Sequence, residues 1–166
     1  IYDNNFDPTV TLRSNTSMNI ACYGSLLYVK NIEYAGSESC SAIIDGGNGR
    51  KLYTSDALEF EGDYFIREPY GESGYKVRTG YGAEIGTYSY VKAYGDRLLC
   101  FDNNKYYLYD RYANLLGEYE NRPKISAYNG NTVVKNDDGT YTCYDRDMNV
   151  LLTTKYDIQP IENGYC

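Results

Sequence analysis

Lys105-Tyr-Tyr-Leu-Tyr-Asp110 returns about 35 residues later as Thr140-Tyr-Thr-Cys-Tyr-Asp145. Both stretches alternate with period two and are rich in aromatic and aliphatic side chains, the pattern of a half-buried strand. Both end on an aspartate that opens a polar turn, Asp110-Arg-Tyr-Ala-Asn114 and Asp145-Arg-Asp-Met-Asn149. Earlier copies are Ser41-Ala-Ile-Ile-Asp45 and the more divergent Tyr75-Lys-Val-Arg-Thr79, and Ile1-Tyr2-Asp3 opens the chain in the same phase. The aligned apolar position reads Ile1, Ile43, Val77, Leu108, Cys143.

Two further elements keep step with this one. An apolar residue followed by a glycine recurs as Ile20…Gly24, Leu58…Gly62, Val91…Gly95, Ile125…Gly130 and Ile158…Gly164. Apolar runs follow the glycines, as in Leu26 to Val29 and Leu98 to Phe101. A third apolar position, Ile85, Leu116 and Leu151, comes about six residues after the Asp position; Val10 and Leu52 come one residue late. Turn signals separate the runs: Asn103-Asn104, Asp138-Gly139, Asn129-Gly130 and Gly46-Gly47. No segment carries a sustained helical period with caps.

The reading is an all-β chain of about five four-stranded repeat units of roughly 35 residues, a β-propeller or an open propeller-like array. The units run approximately 20–56, 57–90, 91–124 and 125–157, with a fifth split between 158–166 and 1–19, all within a single β-repeat domain. In each unit strand A precedes the glycine, B follows it, C ends at the Asp position and D carries the later apolar residue. The chain opens in a C strand and closes in a B strand. That phase fits a ring sealed by strands from both ends, but the split unit is short of a full hairpin. A window on a longer array is the expectation.

Composition narrows the function. The 166 residues carry 16 Lys+Arg against 23 Asp+Glu, a formal charge of −7. That balance opposes a nucleic-acid partner, because no basic excess exists to neutralise phosphates. Histidine is absent, which removes Ser-His-Asp and Cys-His catalysis and His-ligated zinc. No apolar run approaches the ~20 residues of a membrane-spanning helix, so no membrane insertion is expected. Cys22, Cys40, Cys100, Cys143 and Cys166 form no C-x-x-C pair; buried thiols are the first expectation for them and one or two disulfides the second.

The sequence holds 22 Tyr, 4 Phe and no Trp. Tyrosine rings stack on sugars or protein partners while the hydroxyl supplies a hydrogen bond. Tyr23, Tyr94 and Tyr128 recur at the end of strand A and are the candidate ligand-binding residues. Most other tyrosines are expected to pack between sheets. Asp3-Asn-Asn-Phe-Asp7 spaces its acids like a calcium loop, but Pro8 and Ser14 stand where an EF-hand needs Gly and Glu. The repeated acidic turns are therefore read as Asx turns, and no metal or cofactor is expected. Glu59, Glu61, Asp63 and Glu68 cluster around the second A–B corner. Paired carboxylates serve glycosidases, but solvated strand ends are the plainer reading and no catalytic residue is assigned.

From Asp138-Gly139 through Asp147, and from Tyr156-Asp157-Ile158 through Pro160, Asn163, Gly164 and Tyr165, the chain resembles the WG-type repeats of bacterial surface proteins. The resemblance covers 124–166, and Tyr141-Thr142 stands in place of the Trp-Gly pair that names the family. It implies a bacterial surface or secreted protein and a binding role more than a catalytic one. The expectation is a non-catalytic recognition module for a protein or carbohydrate ligand, joined to other domains of a longer parent chain. A structural spacer is the second reading and a glycoside-active enzyme the third.

Overall fold

The computed structural model describes residues 19–23, 25–32, 40–55, 57–80 and 82–160. They form sixteen strands in four sheets, and among the described residues there is no helix. The first sheet comprises β1 (Asn19–Tyr23), β2 (Leu26–Ile32), β3 (Cys40–Asp45) and β4 (Lys51–Ser55). The second comprises β5 (Glu59–Glu61), β6 (Phe65–Tyr70), β7 (Gly74–Thr79) and β8 (Glu84–Tyr88). The third comprises β9 (Tyr90–Tyr94), β10 (Arg97–Asp102), β11 (Lys105–Asp110) and β12 (Leu115–Tyr119). The fourth comprises β13 (Lys124–Ile125), β14 (Thr132–Lys135), β15 (Tyr141–Tyr144) and β16 (Val150–Thr154). Every sheet takes its strands in sequence order, the up-and-down arrangement of a propeller blade. Of the fifth, split unit, only 158–160 and Asn19, which opens β1, fall among the described residues.

The chain divides into two compact units. The first holds the β1–β4 sheet and most of β5–β8. The second holds the β9–β12 and β13–β16 sheets.

The repeated apolar position of strand C is the centre of each sheet. Ile43, Val77, Leu108 and Cys143 are all 0% exposed. In three of the four sheets the C–D register slips next to this residue, between Ile43 and Ile44, Leu108 and Tyr109, and Cys143 and Tyr144. The same β-bulge is thus built three times, turning the end of strand C into its Asp turn. Strand B is buried on both sides: Leu98, Leu99 and Cys100 are consecutive and all inaccessible. Since successive side chains face opposite ways, both faces of that strand are covered.

Within each unit, neighbouring sheets close on one another. In the first, Leu26, Tyr28 and Ile43 of one sheet meet Leu58 and Ile66 of the next, with Leu52 and Phe60 against them. The Tyr28 hydroxyl donates to the Leu58 carbonyl across this seam. In the second, Leu99 and Leu108 meet Ile125, flanked by Tyr94, Leu116, Tyr119 and Met148. Each fully buried aliphatic side chain contributes about 1.5–3 kcal/mol.

The glycine corners sit where the repeat requires. Gly62, Gly95 and Gly130 separate strands A and B of three sheets, all with positive φ (67°, 59° and 73°). Gly24 and Gly164 lie outside the described residues. The Asp turns are Asx turns. Asp110 Oδ1 accepts from the backbone N–H of Tyr112 and Asn114, and Asp145 Oδ1 from Asp147 and Asn149, all at 2.8 Å. In the first sheet Asp45 accepts from Gly47 N–H, also at 2.8 Å, but its own N–H reaches on to the Arg50 carbonyl. That turn holds one extra residue, which is why Leu52 arrives one position late. The Asp3–Asp7 stretch is outside the described residues.

Two expectations are corrected. Cys143 is disulfide-bonded, not a thiol. Cys22 is exposed because β1 is an edge strand, whereas Cys100 is a buried thiol as expected. The side chains of Cys40 and Cys166 lie outside the described residues. Ile125 lies in a strand of two residues only, since the extra residue before Gly130 widens the corner. Ser126 Oγ accepts there from Tyr128 and Asn129 N–H, at 3.3 and 3.5 Å. Tyr128 accordingly rides on a turn and not at a strand end.

Candidate functional site: a tyrosine-clamped arginine

In the second unit a groove of about 470 Å³ runs along β9 and β13, lined by Tyr94, Arg122, Lys124, Ile125, Gln159 and Pro160. Tyr90 and Tyr94 bracket β9 four residues apart, so the period of two puts both rings on one face. Arg122 lies in the link from β12 to β13. The following Pro123 is buried, and it holds the Arg122 backbone extended.

The Arg122 guanidinium bridges the two rings. Its Nη2 donates to the Tyr90 hydroxyl at 2.8 Å and to the Tyr94 hydroxyl at 3.1 Å. The same guanidinium stands 5.2 Å from the centre of the Tyr90 ring, within cation–π reach. The hydrogen bond to Tyr94 raises the Arg122 pKa further, so its charge is permanent. Burial raises the Tyr90 pKa, with Arg122 pulling the other way. Tyr90 is thus neutral at physiological pH. Beside them Lys124 pairs with Asp157 and donates to the Ile158 carbonyl at 3.2 Å, placing the first residues of the fifth repeat against β13.

Donors outnumber acceptors here. Both Nη2 hydrogens are taken by the tyrosines, which leaves Nε and Nη1 of Arg122 with no hydrogen-bond partner among the described residues. The Tyr90 and Tyr94 hydroxyls also hydrogen-bond each other, so one of their two protons is spent within the clamp. Arg122 makes no ion pair among the described residues. Arg67 and Arg78, by contrast, pair with glutamates, and Arg146 with Asp96.

The three tyrosines anticipated from the repeat part company. Tyr94 ends β9, half-buried, in the groove. Tyr128 is 76% exposed on its widened corner, away from the groove lining. Tyr23 ends β1, and its side chain lies outside the described residues. Arg122 and Tyr90 escaped sequence reasoning, although an Arg-Pro step before strand A and tyrosines at i and i+4 on a strand were visible signals. The acidic group at the second A–B corner is committed: Arg67 reaches Glu59 at 3.1 Å and Glu61 at 3.0 Å, and the Tyr53 hydroxyl donates to Glu68 at 3.0 Å. A larger hollow, about 510 Å³, adjoins Lys105, Glu118, Tyr119 and Tyr144. Of its two lysines, Lys105 already faces Glu118 at 3.6 Å, and it holds no clamped group comparable to Arg122.

No protein-family model matches the chain, and no curated protein matches it in sequence. Among solved structures it is similar to a eukaryotic initiation factor, with a TM-score of 0.41 and 11% identity over 93% of this chain and 46% of that one. It is also similar to BamB from Moraxella catarrhalis (TM-score 0.32, 9% identity, 81% of this chain and 47% of that one). A third is HIRA(644-1017), with a TM-score of 0.37 and 9% identity over 85% of this chain and 56% of that one. The chain spans about half the length of these structures.

Proposed function

We propose that this chain is a non-catalytic recognition module of a bacterial surface or secreted protein, whose ligand, a protein segment or a glycan, seats in the groove along β9 and β13. The observation that carries this reading is the Arg122 guanidinium. It is held in place by two tyrosine hydroxyls, yet its remaining donors are unspent. Fixing a charged donor group before the ligand arrives lowers the ordering cost of binding. The disulfide at Cys143 supports an oxidising compartment. The resemblance of 124–166 to WG-type repeats points the same way. Commitment of Glu59, Glu61 and Glu68 to protein partners favours binding over glycoside chemistry.

The test is to probe peptide and glycan arrays with the wild-type chain and with Arg122→Ala, after thermal melts show that both are folded. Saturable binders that the variant loses are the expected result. Blank arrays, or binders indifferent to the substitution, would leave the groove without a ligand and favour a spacer role.

A further inference from the structure

We infer that the second unit carries an oxyanion site, for a phosphate or sulfate group, in a hollow of about 270 Å³ lined by Arg97, Arg111 and Arg146. The hollow shares no lining residue with the β9–β13 groove, so the inference goes beyond the recognition reading and does not depend on it. Three observations carry it.

The first is a buried charge without a counter-ion. Arg97 opens β10 and is only 4% exposed. Its Nη2 donates to the Arg146 carbonyl. Its Nε is sealed from solvent and has no acceptor among the described residues. No carboxylate stands within ion-pairing distance of this guanidinium among the described residues. Gly130 makes the sealing possible, since a β-carbon there would stand 3.5 Å from Arg97 Nε and 3.2 Å from Arg146 Cγ. A charge taken out of water and left uncompensated is destabilising, so what the position lacks is an anion.

The second observation is the use made of the nearby carboxylates. Asp96, Asp110 and Asp147 also line the hollow, and none of them serves Arg97. Asp96 pairs with Arg146. Asp110 lies directly opposite Arg97 in the β10–β11 register, but its oxygens accept from the backbone N–H of Tyr112 and Asn114 and from Asn114 Nδ2. Asp147 is exposed, where salt and water screen its charge. The third observation is the direction of the cations. Arg97 comes from the start of β10, Arg111 from the turn after β11 and Arg146 from the turn after β15. Arg146 is held by Asp96. Arg111 donates to the Tyr112 hydroxyl at 2.5 Å, with its guanidinium over that ring. Guanidinium groups that reach one space from three elements suit a tetrahedral ion, which presents oxygens in every direction. A carboxylate presents two oxygens on one edge.

The experiment follows the Arg97 Nε–H resonance and the melting temperature of the intact chain during titration with phosphate, sulfate, acetate and chloride at one pH and ionic strength. A saturable shift with phosphate or sulfate, with Kd on the order of millimolar, and little with acetate or chloride is the expected result. Tighter binding of O-phosphoserine or glucose 6-phosphate than of the free ion would assign the group to an ester and support the site. Phosphate and sulfate stabilise most proteins by exclusion from their surface, so the melts are read as differences between variants. Arg97→Met removes the buried charge. It should melt no lower than wild type in chloride and gain less from phosphate. Arg146→Gln should weaken binding about tenfold, followed through backbone amide shifts around Gly130. A melt of Arg97→Met well below wild type in chloride would make Arg97 a structural residue and overturn the inference. So would an unmoved resonance, equal shifts with acetate, unchanged binding by Arg146→Gln, or an equal phosphate gain in Arg97→Met.

Discussion

The α-carbon of Gly95 faces the carbonyl of Ala127 so closely that a β-carbon on Gly95 would run into the carbonyl oxygen. The backbone there also has φ +59°, the left-handed region. Gly95→Ala therefore meets two penalties, about 1 kcal/mol for conformation and a backbone clash on top. Gly139 has φ +82° and nothing near its absent β-carbon, so Gly139→Ala meets only the first. Chemical denaturation should show Gly95→Ala to be the more destabilised by at least 1 kcal/mol or so. Equal losses would mean that the corner relaxes freely.

Leu108 and Leu115 test the repeat itself. Leu108 is fully buried at the shared strand C position, while Leu115 is 48% exposed. Leu108→Ala should cost about 2–5 kcal/mol and Leu115→Ala about 0.5 kcal/mol or less. Urea midpoints at unchanged slope are the measurement.

Tyr88 and Tyr109 share a hydroxyl–hydroxyl hydrogen bond of 2.5 Å. Burial, then the bond to Tyr109, pushes the Tyr88 pKa far above its ordinary value of 10.0, and burial likewise raises those of Tyr109 and Tyr119. An acid whose pKa is higher when folded stabilises the fold below its unfolded pKa, and this contribution is lost as pH rises through the folded value. The melting temperature should therefore fall above about pH 10. Tyr88→Phe should flatten that fall. Difference absorbance of the phenolates should show late-titrating tyrosines that ionise only as the chain unfolds.

Asp145 works at the other end of the pH scale. The side chain of Asn149, then its backbone, hydrogen-bonds the Asp145 carboxylate and holds its pKa below the usual carboxylate range. A lowered folded pKa stabilises the chain above the unfolded value of about 4, and the contribution is lost as pH falls through the folded value. Asp145→Asn should melt below wild type at pH 7 and show a shallower decline between pH 5 and 2. Parallel curves would show that the turn does not depend on the charge.

Much of the architecture is legible because it is local. The spacing from Ile43 to Val77, Leu108 and Cys143 marks strand C, and Gly62, Gly95 and Gly130 mark the corners, since each needs only period two and a turn residue. Small offsets were visible without their cause: Leu52 is late because the Asp45 turn is one residue longer, and Tyr128 leaves the strand because the Gly130 corner is wider. The clamp is not legible in this way. Arg122 meets Tyr90 and Tyr94 across some thirty residues of chain, and nothing in the spacing says which strand faces which link. Cysteine spacing was equally silent on Cys143, whose disulfide is a tertiary fact.

The sequence-ordered pairing of each sheet also bears on how the chain acquires its structure. Every strand in the four sheets is hydrogen-bonded to its predecessor or successor, so no sheet waits for a distant segment. The closure entropy met at each step is that of a short turn, which grows only slowly with length. An all-β chain is ordinarily slow to fold because its pairings are non-local. Here each sheet can be completed as soon as its own residues have left the ribosome, and within each compact unit the second sheet can then be laid against a surface already formed.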